Sequence, residues 1–281
     1  MIRILATTFA GLLGLAFGSF LNVCVSRWPA GESVVAPRSH CRNCGRTLTW
    51  WENIPVLSWL ALRGRCRTCG VRIGIRYALV EAAVGATWAL LAWRAIPDSP
   101  DNIAVSALVR AAVFALLDFA LIGLAALDAE HFWLPDVITL PGIVLGIGAS
   151  ALLGELGYTA PRPFQAVLSS AEAAAAGVAL ILLIWGLYWL IRRKEGIGLG
   201  DAKLMAMLGA WLGFAGVILS FGIGVVLGAM VAITVLFRGS SGEGSWAGSK
   251  LPLGTFLCVG GIVSSLWGQE LVGAYLRWAG F

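Results

Sequence analysis

The sequence predicts an all-α polytopic membrane protein with about eight transmembrane helices and a small cytoplasmic loop domain that resembles a zinc ribbon. Three observations support this: the composition is strongly apolar, apolar runs of about twenty residues recur, and two CxxC pairs share one polar loop. Hydrophobic residues make up 59% of the 281 and charged residues 12%, with a mean hydropathy of +0.85. A soluble domain carries roughly 25% charged residues, so this chain needs a bilayer to cover its apolar surface.

Eight segments are long and apolar enough to be treated as membrane-spanning helices. They lie at about residues 4–25, 78–96, 103–127, 135–154, 165–191, 201–214, 215–237 and 252–278. The sixth segment is short, so seven spans remain an alternative. Gly213 and Gly216 mark a predicted tight turn between the sixth and seventh segments.

The first segment is interpreted as a retained transmembrane helix and not as a signal peptide. No small-x-small cleavage site follows its apolar run. Glycines spaced by four residues, as at Gly14/Gly18 and Gly224/Gly228, predict close approaches between helices.

The basic residues predict the orientation of the chain. If the loop at 26–77 is cytoplasmic, fifteen Lys and Arg residues lie on that side and five on the other. The fifteen are Arg27, Arg38, Arg42, Arg46, Arg63, Arg65, Arg67, Arg72, Arg76, Arg192, Arg193, Lys194, Lys203, Arg238 and Lys250. The five are Arg3, Arg94, Arg110, Arg162 and Arg277. This excess predicts that both termini are periplasmic, and it explains the net charge of +5 without nucleic acid as a partner.

The polar loop carries two CxxC pairs, each followed directly by a glycine. The four cysteines are Cys41, Cys44, Cys66 and Cys69. Two such pairs are typical of a structural zinc site, in which four thiolates close a tetrahedron and leave no position for catalysis. A pair of disulfides or a redox dithiol is the alternative, and a cytoplasmic location argues against stable disulfides.

Two aspartates stand at predicted helix ends on the cytoplasmic face. Asp128 ends one helix, and Asp201 begins another after Gly198-Leu-Gly200. Because these glycines have no side chain, a substrate peptide can approach their backbone, and they can adopt turn conformations that other residues cannot. Two carboxylates that approach closely share one proton at neutral pH, which suits aspartic-protease chemistry. The alternative, that each is an ordinary acid at a helix end, stays open on local sequence alone.

Other charged residues near membrane segments are weaker candidates. Asp136 follows Pro135 as the first acid of a predicted helix, and Lys203 stands two residues after Asp201. Asp118 lies inside its span and is interpreted as a structural acid that pairs with Arg110 or with another helix.

Several stretches together resemble bacterial type IV prepilin peptidases. They are Gly18-Ser-Phe-Leu-Asn-Val23, Arg27-Trp-Pro29, both CxxC pairs, Trp51-Glu-Asn-Ile-Pro-Val-Leu-Ser-Trp-Leu60, Arg63-Gly-Arg-Cys66, Arg76-Tyr77 with Leu79-Val-Glu81, Asp128, Leu134-Pro-Asp136, Gly198-Leu-Gly-Asp-Ala-Lys203 and Leu251-Pro-Leu-Gly254. They follow the order of that family over nearly the full chain.

The resemblance implies a GxGD-type aspartyl protease of the bacterial inner membrane. By that analogy Asp128 and Asp201 are the catalytic pair, and they cleave the short basic leader of prepilins or pseudopilins after its glycine. It also implies N-methylation of the new terminal residue with S-adenosylmethionine, an activity that the family associates with the cysteine loop. Asp136, Lys203, Gly198 and Gly200 become secondary site candidates.

The expected domains are residues 1–25 as the first transmembrane helix, 26–77 as the tetracysteine domain and 78–281 as the transmembrane peptidase domain. The bilayer is the other expected partner, and the oligomeric state is not predicted. The chain departs from the family at Ala78, Ala202 and Pro252-Leu-Gly-Thr255, where the family often has proline, phenylalanine and Pro-Phe-Gly-Pro. The alternatives are a peptidase without methylation, a proton-relay transporter and a zinc-clamped scaffold without catalysis.

Overall fold

A computed structural model describes residues 1–98, 104–158, 162–193, 198–238 and 251–280. Lys194 and Lys250, two of the predicted cytoplasmic cations, lie outside these ranges. The helices are α1 (Ile2–Arg27), α2 (Leu57–Ala61), α3 (Arg76–Ala95), α4 (Val105–His131), α5 (Asp136–Glu155), α6 (Pro163–Arg192), α7 (Leu199–Arg238) and α8 (Leu253–Trp278). Within the described ranges there is no β-strand, so the predicted all-α class is confirmed.

Six helices of the described chain are long and apolar enough to cross a membrane, namely α1 and α4 to α8. Helix α3 is also 20 residues long, but it carries Arg76, Glu81 and Arg94. Helix α7 has 40 residues, a length of about 60 Å, which is twice the roughly 30 Å of a bilayer core. Its backbone breaks at Gly213 (φ 68°, ψ −172°), where the sequence predicted a turn. The two parts of α7 correspond to the sixth and seventh predicted segments.

The chain forms two compact units, residues 1–126 and 127–281. In the first unit, α1 and α3 pack with their backbones in close contact. A Cβ atom added to Gly14 would lie 2.7 Å from the Val84 carbonyl oxygen, and one added to Gly18 would lie 2.7 Å from the Glu81 Cα. The close approach predicted for these two glycines is therefore confirmed. The domain boundaries expected at residues 25 and 77 stay predictions.

The second unit is built around the first part of α7. Leu204, Met205 and Leu208 are completely buried there, because α5 and α6 pack against this short segment. Gly224, on the second part of α7, lies against Leu257 of α8, which confirms another of the predicted close contacts. Because other helices enclose this segment, it does not need the length of a helix that crosses the bilayer alone.

Replacement of Gly177 by alanine tests one of the close backbone contacts between helices in the second unit. A Cβ atom there would collide with the backbone of Met205 on α7, whereas one at Gly186 of the same helix meets nothing within 4 Å. We expect Gly177→Ala to lower the melting temperature of the detergent-solubilised protein, with a loss of about 1–3 kcal/mol from overpacking. Gly186→Ala should leave the melting temperature unchanged or raise it, since alanine favours a helix by about 1 kcal/mol. Equal melting temperatures for the two variants would contradict the α6–α7 contact.

Candidate functional site

In the second unit, Asp128 lies at the C-terminal end of one helix and Asp201 lies at the N-terminal end of another. Asp128 lies in the last turn of α4, where its carbonyl accepts the Phe132 N–H at 2.9 Å. Asp201 lies in the first turn of α7, and its N–H donates to the Gly198 carbonyl at 3.1 Å. Both side chains thus stand where a helix gives way to a loop.

The carboxylate of Asp128 is buried and receives two hydrogen bonds from a single residue. The Thr255 backbone N–H donates to Asp128 Oδ2 at 2.6 Å, and the Thr255 hydroxyl donates to the same oxygen at 3.0 Å. Thr255 is the third residue of α8, and Pro252, which precedes that helix, provides no side-chain cap. Asp128 therefore caps α8 from another helix, and the positive end of the α8 dipole faces its negative charge.

Gly254 allows this contact. A Cβ atom at position 254 would lie 2.9 Å from Asp128 Oδ2 and 2.9 Å from Leu134 Cδ1. Any larger residue would push either the carboxylate or the Leu134 side chain away. The carboxylate and the start of α8 can meet only because this position has no side chain.

The structure brings Asp128 and Asp201 into one neighbourhood. The Leu134 side chain lies beside Gly200, the neighbour of Asp201, and also beside Gly254, which lies against the Asp128 carboxylate. Asp128 is 6% exposed, and Asp201 is half-buried. Two aspartates that are 73 positions apart in the sequence thus form a pair of acids at one site.

The secondary candidates divide into two groups. Gly200 packs loosely against Leu134, and among the described residues the nearest atom to a Cβ added to Gly198 is 3.9 Å away. Gly200 does not have a positive φ, so the turn closed to other residues that was expected of these glycines is not formed at that position. They provide room beside Asp201 instead.

Lys203 and Asp136 pair with each other. Lys203 Nζ lies 2.7 Å from Asp136 Oδ1, and both side chains are partly exposed to solvent. An exposed ion pair contributes about 0–1 kcal/mol, so its main effect is to connect the start of α5 to the first turn of α7. Asp118 belongs to the first unit, where it is fully buried in α4.

The four loop cysteines form one cluster. Their sulfur atoms all lie within 4.8 Å of one another, and Cys41 Sγ is 3.8 Å from Cys69 Sγ. None of them forms a disulfide. Zinc–sulfur bonds of about 2.3 Å in a tetrahedron separate the sulfurs by about 3.8 Å, so the cluster fits a metal of that size.

Backbone hydrogen bonds prepare the cluster for a metal. Each CxxC pair forms a tight turn, closed by Gly45 N–H to the Cys41 carbonyl at 2.8 Å and by Gly70 N–H to the Cys66 carbonyl at 2.9 Å. Backbone N–H groups of Cys69 and Thr68 donate to the Cys66 sulfur and lower the pKa of that thiol to about 6. The thiolate, which is the metal-binding form, is therefore favoured at neutral pH.

A buried glutamate holds the first CxxC turn against the following segment. Both oxygens of Glu52 accept hydrogen bonds from the Arg46 guanidinium, and Thr49 donates its N–H at 2.9 Å and its hydroxyl at 2.6 Å to Oε2. Arg46, and then Thr49, lower the pKa of the Glu52 carboxyl to about 2. Glu52 is consequently charged and fully paired, which identifies a structural role for a residue that sequence analysis left unassigned.

Sequence analysis missed the contacts that Thr255 makes. Thr255 and Asp128 are 127 residues apart, and nothing in the local pattern indicates that they meet. The available signal was the departure from the family's usual proline, which has no N–H to donate. Glu81 was recognised on a matching stretch, but its burial and its hydrogen bond to Val56 N–H at 2.7 Å were not predictable from the sequence.

Comparison with known proteins covers nearly the full chain. Residues 12–95 match the profile of the bacterial peptidase A24 N-terminal domain, and residues 114–233 match that of the type IV leader peptidase family. A prepilin leader peptidase/N-methyltransferase of Pseudomonas putida is 36% identical over 98% of this chain and 95% of its own length. Proteins of the same description from Stutzerimonas stutzeri and Pseudomonas aeruginosa are 34% and 33% identical, over 95% and 96% of this chain and 93% of each relative. No solved structure matches the chain.

Proposed function

The chain belongs to the type IV leader peptidase family, and from that premise we propose that it is a bifunctional enzyme of the bacterial inner membrane. It cleaves the short basic leader of type IV prepilins or pseudopilins after the leader's glycine. It then methylates the new N-terminal amine with S-adenosylmethionine as the methyl donor. The observation that carries the peptidase assignment is that Asp128 and Asp201 lie on either side of Leu134 at one site.

The two aspartates have different roles in the proposed cleavage. Thr255 at the start of α8 donates two hydrogen bonds to Asp128, and these hydrogen bonds favour a charged carboxylate. A second charge beside it is costly, so Asp201 retains the proton that the pair shares. Asp128 acts as the general base, and Asp201 acts as the general acid.

The reaction follows from these protonation states. Asp128 accepts a proton from water while the water oxygen bonds to the scissile carbonyl carbon, and Asp201 gives its proton to the carbonyl oxygen. As the tetrahedral intermediate collapses, the C–N bond breaks and the leaving amine takes the proton from Asp128. The proton on the oxygen then returns to Asp201, which restores the starting state.

The proposed orientation places this pair at the cytoplasmic face and both termini in the periplasm. It is supported by the fifteen-to-five distribution of basic residues. A pilin would then enter from the membrane with its basic leader in the cytoplasm. Gly198 has no described atom closer than 3.9 Å to an added Cβ, which supports room there for the extended segment that is cut.

The tetracysteine cluster is proposed to bind structural zinc. Its support is the sulfur geometry, which matches the expected spacing of a four-thiolate site. A closed site of this kind holds the two CxxC turns together and takes no part in the chemistry. The bound ion stabilises a loop that is too small and polar to fold on a hydrophobic core alone.

Intact-mass analysis of a processed prepilin tests the two activities together. Wild-type protein should remove the leader and add the mass of one methyl group. Cys41→Ser should lower the zinc content and abolish methylation, because the loop loses one of its four ligands. Cys24→Ala is the matched control, since Cys24 is buried in α1 away from the cluster. If wild-type protein supplied with the methyl donor releases a product without the added methyl group, the second activity is contradicted. If Cys41→Ser binds as much zinc as wild type, the metal site is contradicted.

Substitution of Thr255 tests the role of Asp128. Thr255→Val removes the hydroxyl donor and keeps the shape, whereas Thr255→Ser keeps both donors. One hydrogen bond to a charged group contributes about 1.5–3 kcal/mol, so kcat for leader cleavage should fall at least about tenfold in Thr255→Val. KM should stay unchanged, because the lost contact reaches Asp128 and not the substrate, and Thr255→Ser should behave as wild type. A Thr255→Val variant with normal kcat would contradict this role.

A further inference from the structure

The first unit contains a cavity of about 850 Å³ between α1, α3 and the cysteine loop. Pockets for small molecules have volumes of roughly 300–1,000 Å³, so this cavity is large enough for a nucleoside-sized ligand. Ser19 and Asn22 of α1, Ser58 of α2 and Glu81 of α3 are among the residues that line it. The cleavage chemistry of the second unit does not use any of them.

Glu81 is a buried acid in the wall of this cavity. It is 8% exposed, and its Oε2 accepts the Val56 N–H at 2.7 Å. Ser19 and Asn22 are its other hydrogen-bonding neighbours. No cation of the described residues forms an ion pair with it, in contrast to Glu52, which pairs with Arg46. A buried carboxylate of this kind calls for a positive charge from elsewhere.

Asn22 presents an unused acceptor at the same place. Its amide nitrogen donates to the Tyr77 carbonyl at 2.9 Å, but its buried Oδ1 has no hydrogen-bond partner within the described chain. The residue is 2% exposed, so water in bulk does not satisfy this oxygen. A buried acceptor without a partner costs about 1–3 kcal/mol, which a ligand with a donor group would offset.

The backbone that serves Glu81 is strained. Val56 has φ 60° and ψ −49°, and the following Leu57 N–H bonds back to the Pro55 carbonyl at 2.6 Å, which closes a γ-turn. A β-branched residue in this region costs on the order of 1–3 kcal/mol, and such strain concentrates at binding sites. The turn directs the Val56 N–H to the Glu81 carboxylate, and the strain therefore serves to fix that acid in place.

Arg27 supplies an opposite charge on the wall of the cavity. It is 5% exposed, and its guanidinium donates to the carbonyls of Ser33 at 2.8 Å and Pro37 at 2.7 Å. Among the described residues it has no carboxylate partner. One cavity thus carries a buried anion and a buried cation, both held by uncharged groups, which suits a ligand that itself carries both signs of charge.

We propose that this cavity binds S-adenosylmethionine, with Glu81 facing its sulfonium and Arg27 its carboxylate. The assignment rests on the N-methyltransferase activity proposed above and names the residues that serve it. The donor supplies a methyl group: its S–CH3 bond breaks as the amine nitrogen bonds to the carbon, sulfur keeps the electron pair, and the nitrogen releases a proton to water. Glu81 lowers the cost of burying the sulfonium, and Asn22 Oδ1 accepts a hydrogen bond from the ligand.

Direct binding tests this assignment without any measurement of turnover. Equilibrium dialysis of the full chain in detergent, with radiolabelled S-adenosylmethionine or S-adenosylhomocysteine, compares wild type with Glu81→Gln. Glutamine keeps the acceptor for Val56 N–H and removes the charge. We expect affinity for the sulfonium ligand to fall at least about tenfold, with a change below about twofold for the homocysteine product, whose sulfur is neutral. Glu32→Gln, at an exposed glutamate outside the cavity, is the matched control and should bind both ligands as wild type does.

A second measurement tests the cavity assignment even if the Glu81→Gln variant fails to fold. Ser58→Cys places a thiol on the cavity wall with Glu81 intact, and S-adenosylmethionine should slow its alkylation, followed by peptide mass. The cavity assignment would be overturned if Glu81→Gln bound S-adenosylmethionine as wild type does. It would also be overturned if Ser58→Cys bound the donor but its new thiol were alkylated at the same rate with and without it. Neither result would contradict the methyltransferase activity. Wild type that neither binds the donor nor adds a methyl group would overturn the methyltransferase proposal itself.

Discussion

A carboxylate buried among apolar helices must find hydrogen-bond donors, and the second unit is arranged around the donors that Asp128 finds. They come from Thr255 at the start of α8, a helix that begins after a proline and lacks a cap of its own. The contact depends on Gly254, which lets the carboxylate approach the helix end. The contact with Thr255 also holds the Asp128 carboxylate in one position relative to Asp201 at the start of α7.

The same constraint is met differently by the two buried glutamates of the first unit. Glu52 is neutralised by Arg46 and supported by Thr49, and this complete pairing gives a rigid structural contact. Glu81 receives a backbone N–H from a strained turn at Val56 but no cation of the described chain. The first arrangement is closed within the protein, whereas the second remains complementary to a positively charged ligand. This difference in pairing supports the structural role of Glu52 and the proposed binding role of Glu81.

Much of this architecture could be predicted because it depends on local patterns. Apolar runs of span length predicted the helices, and glycine spacing predicted the α1–α3 contact at Gly14 and Gly18. The CxxC pairs predicted the sulfur cluster, since the spacing fixes two turns. The Thr255–Asp128 and Val56–Glu81 contacts join distant segments, and their partners follow only from the packed helices. The exact pairing of Lys203 with Asp136 was unpredictable for the same reason.

Leader cleavage by single asparagine variants tests the central claim, that Asp128 and Asp201 act as one catalytic pair. Asparagine keeps the size of each side chain and removes the proton that the chemistry needs. Membranes with Asp128→Asn or Asp201→Asn should leave a prepilin uncut, while Asp136→Asn, which loses only an exposed ion pair, should cut at a rate near wild type. Melting temperatures of the purified variants establish that each is folded. Normal cleavage by a folded Asp128→Asn or Asp201→Asn variant would contradict the pair and the mechanism built on it.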